Sequence, residues 1–109
     1  RRTTKGDIVP VAPGVPRSLT EDLIVLDYTK QESLDYIQQH GQEIAAVLVE
    51  SVQSRYPEYQ PKEFLKEIRR MTESTGTAMI FDEVITGFRI AVGGAQEHFG
   101  IKADIAAYG

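Results

Sequence analysis

Residues 78–83 read Ala-Met-Ile-Phe-Asp-Glu, four apolar residues followed at once by two carboxylates. A continuous apolar run of this length is typical of a strand that is buried on both faces, as in a parallel sheet. In open parallel sheets, ligands bind beyond the carboxyl ends of the strands. The sequence therefore predicts a buried strand that carries Asp82 to a candidate site.

Two further apolar runs, residues 44–49 and residues 104–108, predict strands on either side of this one in the sequence. Helical patterns separate them: one opens at Pro61 and ends at residues 75–76, and a shorter one opens at residues 93–94. Strands that alternate with helices through short loops are joined by crossover connections. The pattern predicts an α/β unit with a mostly parallel sheet and crossover helices.

The first forty residues carry weaker signals, and residues 1–22 are predicted to form a loop. The apolar run Leu23–Leu26 predicts a strand. Thr29 and Glu32 have the spacing of a capping box, which predicts a helix from there to His40. Gly41 then predicts a left-handed end to that helix.

The composition narrows the classes of function. The chain has 109 residues, a formal net charge of −4 and no cysteine, and its two histidines are far apart. An acidic surface does not favour nucleic acid, and no apolar stretch approaches the roughly 20 residues needed to cross a bilayer. Without cysteine, thiolate metal sites and a catalytic thiol are excluded. We expect a cytoplasmic protein with neither a metal site nor a nucleic-acid or membrane partner.

Three residues stand at the predicted strand ends, namely Glu50, Asp82 and Tyr108. An aspartate in the position of Asp82 can hold a magnesium ion, but the phosphate-binding loop that this reading requires does not occur in the chain. Alternatively, its carboxylate can keep a pyridine nitrogen protonated, because the neighbouring negative charge favours the cation. Val84, two residues on, is expected on the same side of the strand, where it could lie against the ring.

Four segments resemble the class III aminotransferases, which are pyridoxal-phosphate enzymes of fold type I. The segments are Val-Glu-Ser-Val (49–52), Ile-Phe-Asp-Glu-Val-Ile-Thr-Gly-Phe-Arg (80–89), Gly-Gly-Ala-Gln-Glu-His-Phe-Gly (93–100) and Asp-Ile-Ala-Ala-Tyr-Gly (104–109). The resemblance is nearest to the glutamate-1-semialdehyde aminomutase-like branch. It implies that residues 1–109 are part of one large, cofactor-binding domain, truncated at both ends, and that the cofactor is pyridoxal 5′-phosphate.

The resemblance also implies roles for particular residues. Asp82 matches the aspartate that pairs with the pyridinium nitrogen, and Val84 matches the residue that packs on the ring. Glu50 matches the glutamate of the family's Glu-Pro-Val motif near the cofactor, although Ser51 replaces the proline. Arg55 falls in the loop where family members place a residue facing the cofactor or substrate, and is the candidate for substrate binding.

No catalytic residue is assigned within the chain. In the family, the lysine that forms the Schiff base directly follows the last motif, so it is expected just after Gly109. The chain's own lysines do not lie in that motif: Lys5, Lys30, Lys62, Lys66 and Lys102. The isolated chain is therefore expected to be inactive. It is also expected to fold poorly alone, because its three buried-type strands lack their sheet neighbours. Of the remaining candidates, Glu83 is expected to be a structural hydrogen-bonding partner, Arg89 to pair with a carboxylate and Tyr108 to pack in the core.

Residues 53–61 resemble the aminotransferase modules of polyketide and non-ribosomal peptide synthetases, such as those of the microcystin and nodularin type. This resemblance implies transfer of an amino group from an amino-acid donor to a β-keto acyl acceptor, tethered to a carrier protein, in secondary-metabolite biosynthesis. Two alternatives remain: a free-standing glutamate-1-semialdehyde 2,1-aminomutase, and a non-catalytic scaffold with an aminotransferase fold. The family resemblance further implies a homodimer with its active site at the subunit junction.

Overall fold

The computed structural model describes residues 8–109, and the small α/β unit it shows agrees with the predicted fold class. A short 3-10 turn at Arg17–Leu19 precedes the regular elements. The helices are α1 (Gln31–His40), α2 (Lys62–Thr75) and α3 (Gly94–Phe99), and the strands are β1 (Ala46–Glu50), β2 (Ala78–Asp82) and β3 (Ile105–Ala107). All the described strand pairs are parallel, in the order β1-β2-β3.

The core lies on one face of this sheet, under α1 and α2. Apolar residues recur on α2 at helical spacing and turn toward β2, while its charged residues form ion pairs on the outer side. The buried set contains Leu34, Ile37, Val49, Leu65, Ile68, Met71, Met79, Phe81 and Phe99. Burial of these side chains is the main force that holds the helices to the sheet.

The strands alternate between a packed and an open face. Met79 and Phe81 are fully buried on the packed face, whereas Leu48, Ile80 and Ile105, which are neighbours across the sheet, lie on the open face. There Leu48 is 66% exposed and Ile105 is exposed as well. The prediction of strands buried on both faces is therefore wrong for the described residues, because helices cover only one side of the sheet.

An aspartate fixes the start of β3 against β2. The backbone N–H of Asp104 donates to the carbonyl of Met79 (2.9 Å), and Asp104 Oδ2 accepts from the N–H of Met79 (2.8 Å) and from Arg69 Nη1 of α2 (2.7 Å). The carboxylate thus completes the sheet's hydrogen bonding where β3 has not yet begun. These bonds lower the pKa of Asp104, the Met79 N–H contributing most.

The region before α1 differs from its prediction. Residues 23–27 form no strand, and Leu23, Ile24 and Val25 are exposed. An apolar run becomes a strand only where it pairs with another strand, and this one pairs with none of residues 8–109. Leu26 alone of the run reaches the core, where it packs as a partly buried side chain.

Both ends of α1 also differ from their predictions. The helix begins at Gln31 without a side-chain cap, and Thr29 adopts a left-handed conformation (φ 63°), so the capping box is wrong. Ser33 instead ties the entry, its hydroxyl donating to the carbonyl of Asp27 (2.7 Å). Gly41 is right-handed (φ −53°), and glycine is required there because a Cβ would come within 2.5 Å of Thr75 Cγ2.

The other predicted helix boundaries agree with the structure. Gly76 (φ 75°) and Gly100 (φ 67°) end α2 and α3 in the left-handed conformation that glycine adopts without strain. Pro61 lies one position before α2 as its N-cap residue. Within residues 8–109, none of the helices has the length and apolar character needed to cross a bilayer.

Candidate active site

The carboxyl ends of the strands bring two acidic residues together. Glu50 and Asp82 are partners in the β1–β2 register, and Asp82 is in turn the partner of Ala107 on β3. Register partners share a face of the sheet, so both carboxylates stand on the open face, beyond which no helix packs in the described part of the chain. The structure thus places these two predicted site residues side by side at the edge where parallel sheets bind ligands.

One oxygen of Asp82 is held by the backbone and the other remains available. Oδ1 accepts from the N–H of Val84 (3.1 Å), whereas Oδ2 accepts no hydrogen bond from residues 8–109. A carboxylate oriented in this way can accept one further hydrogen bond from a cationic N–H. Such a charge-assisted hydrogen bond is stronger than one between neutral groups.

Val84 lies just beyond the strand. Because β2 ends at Asp82, the alternation of side chains along a strand does not apply at Val84, which sits in the turn that follows. Its side chain is 49% exposed and lies against Gly109, where a Cβ would come within 2.8 Å of Val84 Cγ1. The turn after β2 and the chain after β3 therefore converge beside Asp82.

A loop of residues 51–60 forms the other wall of the site. Glu50 Oε1 accepts from the N–H of Ser54 (2.9 Å), which holds the start of the loop against the end of β1. A shallow cavity of about 350 Å³ lies there, lined by Glu50, Gln53, Ser54, Arg55 and Tyr56. Arg55 is exposed and forms no ion pair with a described residue, so its guanidinium is available to an anion at the cavity.

Tyr28 is a support of this loop that the sequence analysis missed. Its hydroxyl donates to the carbonyl of Ser51 (2.9 Å), and its ring meets that of Phe64 edge to face. Burial, with smaller contributions from Tyr59 and Glu50, raises the pKa of Tyr28 far above its ordinary value, so the phenol stays a donor. The contact joins residues 23 positions apart, and no local pattern announces it.

Glu83 has the structural role that the sequence analysis predicts. It is only 1% exposed, and its carboxylate accepts from the N–H of Ala95 (2.7 Å), the N–H of Gln96 (3.3 Å) and the hydroxyl of Thr86 (3.1 Å). Gly94 (φ 65°) passes so close to Glu83 Oε2 that no Cβ could fit there. Glu83 therefore holds the first turn of α3 to the segment that carries Asp82.

Two further predictions about the surroundings are wrong. Tyr108 is 53% exposed rather than in the core, and its ring packs on that of Phe88, with the centroids 5.8 Å apart. Arg89 is exposed and pairs with no carboxylate of residues 8–109. His98 contacts the end of the loop of residues 51–60, with its Nε2 2.8 Å from Gln60 Oε1.

The family model described as "Aminotransferase class-III" matches residues 2–109, nearly the whole chain. The chain belongs to the class III aminotransferase family. This finding confirms the family that the sequence motifs at 49–52, 80–89, 93–100 and 104–109 indicate, and with it the fold type I transferase architecture.

Named relatives of this class III aminotransferase chain fall into several activities. A glutamate-1-semialdehyde 2,1-aminomutase of Hydrogenobaculum sp. is 47% identical over 104 residues, which cover 93% of the chain and 24% of that protein. Among solved structures, an omega-transaminase from Sphaerobacter thermophilus matches with a TM-score of 0.80 and 31% identity over 97% of the chain and 25% of that protein. A β-phenylalanine aminotransferase from Variovorax paradoxus matches with a TM-score of 0.61 and 35% identity over 70% and 18%.

The chain spans about a quarter of the length of these relatives. Family membership indicates pyridoxal phosphate as the cofactor, and the residues at the strand ends fit it. Asp82 offers a free carboxylate oxygen for a pyridinium N–H, and Val84 offers a half-exposed apolar side chain beside it. No group of three or more His, Cys, Asp or Glu side chains among residues 8–109 is arranged to hold a metal ion.

Proposed function

We propose that the full-length protein that contains this chain catalyses pyridoxal-phosphate-dependent transfer of an amino group. The observation that carries the proposal is the carboxylate of Asp82 at the open end of β2, oriented by the N–H of Val84 and free at Oδ2. Membership of the class III aminotransferases supports the same reaction class. The activity belongs to the whole protein, because the chain provides only part of the cofactor site.

In this proposal, Asp82 holds a proton at the pyridine nitrogen of the cofactor. Its negative charge raises the pKa of that nitrogen, because the neighbouring anion favours the cationic form. The bound cofactor supplies an electron sink for the carbon that bears the amino group. Asp82 makes that sink effective by keeping the ring positively charged.

Val84 and Glu50 are proposed to position the cofactor. Val84 packs on one face of the ring with its half-exposed side chain and excludes water there. Glu50 stands beside Asp82 in register and fixes the loop of residues 51–60 through the N–H of Ser54. Both roles remain predictions, which substitution of each residue and titration with pyridoxal phosphate would test.

Arg55 is proposed to bind a carboxylate of the amino donor or the keto acceptor. It lies on the wall of the cavity next to Glu50, and a guanidinium recognises a carboxylate through two parallel hydrogen bonds. We expect Arg55→Lys to raise KM for the carboxylate-bearing substrate more than it lowers kcat, because a lysine keeps the charge and loses the paired geometry.

The central experiment is borohydride reduction of the full-length protein, followed by digestion and mass spectrometry. We expect a phosphopyridoxyl group on a lysine directly after Gly109, as the family motif implies. Another residue at that position, with no adduct anywhere, would overturn the enzyme proposal and favour the non-catalytic scaffold. Reduction of the Asp82→Asn protein at matched cofactor concentration is the control, and its adduct yield is expected to fall.

The acceptor can be a β-keto acyl group on a carrier protein, as the residues 53–61 suggest, or the substrate can be glutamate semialdehyde. Likeness to a β-phenylalanine aminotransferase supports a β-amino product, and 47% identity to an aminomutase supports the second reaction. Incubation with ¹⁵N-glutamate separates them. A transaminase places ¹⁵N in the product, whereas an aminomutase moves the existing nitrogen of its substrate and needs no external donor.

The remaining proposals concern assembly and setting. A homodimer with its active site at the subunit junction is proposed for the full-length protein, and light scattering after size-exclusion chromatography tests it. A place in polyketide or non-ribosomal peptide assembly of the microcystin type is tested by the sequence that flanks the chain, where carrier or ketosynthase domains are expected. The cytoplasmic location stays a prediction, which cell fractionation checks.

A further inference from the structure

A polar network, buried around Glu83 and exposed at Tyr108, joins the turn after β2 to the residues that flank β3. On one side, the carboxylate of Glu83 accepts from the first turn of α3, at the N–H groups of Ala95 and Gln96. On the other side, the side chain of Gln96 reaches residues that flank β3. Its Oε1 accepts from the N–H of Ala103 (3.0 Å), and its Nε2 donates to the hydroxyl of Tyr108 over a long 3.4 Å.

The backbone closes this network into a ring. The N–H of Glu83 donates to the carbonyl of Ala107 (2.9 Å), and the carbonyl of Glu83 accepts from the N–H of Gly87 (2.9 Å). Glu83 therefore contacts the end of β3 through its main chain and α3 through its side chain. Gln96, on α3, then contacts the residues just before and just after β3, so the last residues of β3 are held from two directions.

We propose that Gln96 and Glu83 are positioning residues, which fix the segment Ala107–Gly109 relative to Asp82 and so set the approach of the lysine expected after Gly109 to the cofactor. The inference rests on the proposed function. Neither side chain is placed against the cofactor. Each acts through the backbone of β3 or of the turn that begins at Val84.

The physical basis is the sensitivity of the reaction to small displacements. A misplacement of about 1 Å at a reacting group can lower a rate about a hundredfold. Val84, two residues after Asp82, lies so near Gly109 that a Cβ on Gly109 would come within 2.8 Å of Val84 Cγ1, so a shift of β3 changes the distance between the two halves of the site directly. Side chains that are locked by hydrogen bonds on rigid elements hold such geometry best.

The test substitutes Gln96→Met in the full-length protein, which keeps the length of the side chain and removes both hydrogen bonds to the β3 segment. Lys102→Ala is the matched control, because Lys102 lies next to Ala103 and its exposed side chain bonds no described residue. The affinity of the folded apoprotein for pyridoxal phosphate is measured by fluorescence titration. The pH midpoint of the bound cofactor's visible absorbance and the kinetic constants are measured on the same samples.

For Gln96→Met, we expect about a five- to tenfold lower cofactor affinity, a displaced pH midpoint, and a kcat that falls while KM changes by less than about twofold. A merely structural role would lower the melting temperature and leave the other three quantities at the values of Lys102→Ala. That result would overturn the proposal. Glu83→Gln, which keeps shape but puts an amide N–H₂ against a donor, is expected to act in the same direction.

A second variant, Tyr108→Phe, and the adduct of the wild-type protein separate the remaining outcomes. If Gln96→Met does not fold, Tyr108→Phe decides the question, because it removes only the hydroxyl that meets Gln96 Nε2. An unchanged pH midpoint in that variant overturns the proposal. If the wild-type protein forms no borohydride-stable adduct with pyridoxal phosphate, the proposed function itself fails and this inference fails with it. An adduct in wild type, with Gln96→Met indistinguishable from Lys102→Ala, overturns the positioning role alone.

Discussion

The two faces of the sheet do different work with alternate residues of the same strands. On the packed face, Met79 and Phe81 are buried under α1 and α2, and they hold the fold. On the open face, Ile80 and Asp82 alternate with them, and Asp82 stands beside Glu50 at the candidate site. A five-residue strand thus carries stability and chemistry one residue apart, so substitutions at neighbouring positions should separate the two.

The largest effect is expected for Phe81→Ala on the packed face. Removing a fully buried phenylalanine leaves a cavity and lowers the free energy of unfolding by about 3–5 kcal/mol. Urea denaturation of the full-length apoprotein measures this. Phe88→Ala is the matched control, because Phe88 is 77% exposed, and a change within about 0.5 kcal/mol is expected. Equal losses in both variants would contradict the division into a packed and an open side.

Asp82→Asn on the open face should lower turnover strongly and leave stability nearly unchanged. The amide oxygen can still accept from the N–H of Val84, so the free energy of unfolding is expected to change little. Loss of the charge that holds the pyridinium proton should lower kcat about a hundredfold to a thousandfold. Kinetics at saturating pyridoxal phosphate, with denaturation of the same sample, separates the two quantities. A large loss of stability with normal turnover would contradict the assignment.

A smaller effect is expected at the other end of the sheet, where Asp104 bonds Met79 and Arg69. Because these bonds lower the pKa of the folded carboxyl below its ordinary value of 3.8, the group stabilises the protein above that pH. This stability is lost as the pH falls from there through the lower folded pKa. Denaturation between about pH 2 and pH 5 should show a shallower fall for Asp104→Asn than for wild type. Identical slopes would mean that the carboxylate contributes nothing.

The smallest effect is expected at Ser51, which follows Glu50. Its hydroxyl oxygen is buried and bonds no group among residues 8–109, so Ser51→Ala should raise the free energy of unfolding by up to about 1 kcal/mol. Ser33→Ala is the comparison, since its buried hydroxyl donates to Asp27 and its loss should lower stability by a similar amount. Thermal unfolding of both variants checks the signs, and destabilisation by Ser51→Ala would show that the hydroxyl is satisfied in the full-length protein.

The sequence predicts the parts of this structure that local chemistry controls. The β2 strand, its acidic end and the amphipathic α2 all follow from patterns of a few residues. The specific motif at 80–89, together with the segments at 49–52, 93–100 and 104–109, indicates the family. Gly76 and Gly100 end helices as expected, because a left-handed residue after a helix is a local requirement.

The predictions that are wrong or missing concern features that depend on contacts between residues far apart in the sequence. Leu23–Leu26 has the composition of a strand, yet no neighbour pairs with it among the described residues. Gly41 is needed because Thr75 of another helix approaches it, which no spacing near residue 41 could indicate. The support of the loop by Tyr28 and the link from Glu83 through Gln96 to β3 likewise join segments that are far apart in the sequence.

The two hydrogen bonds between Asp104 and Met79 limit how this segment can change through insertion and deletion. These bonds fix the position of Asp104, and Gly109 follows it by five residues. Ile105 or Ala106 could be exchanged for residues of similar size without moving Gly109. Adding or removing a single residue between Asp104 and Gly109 would exchange the two faces of β3 and move Gly109 away from Val84. The number of residues in this interval is therefore under a stricter constraint than their identities.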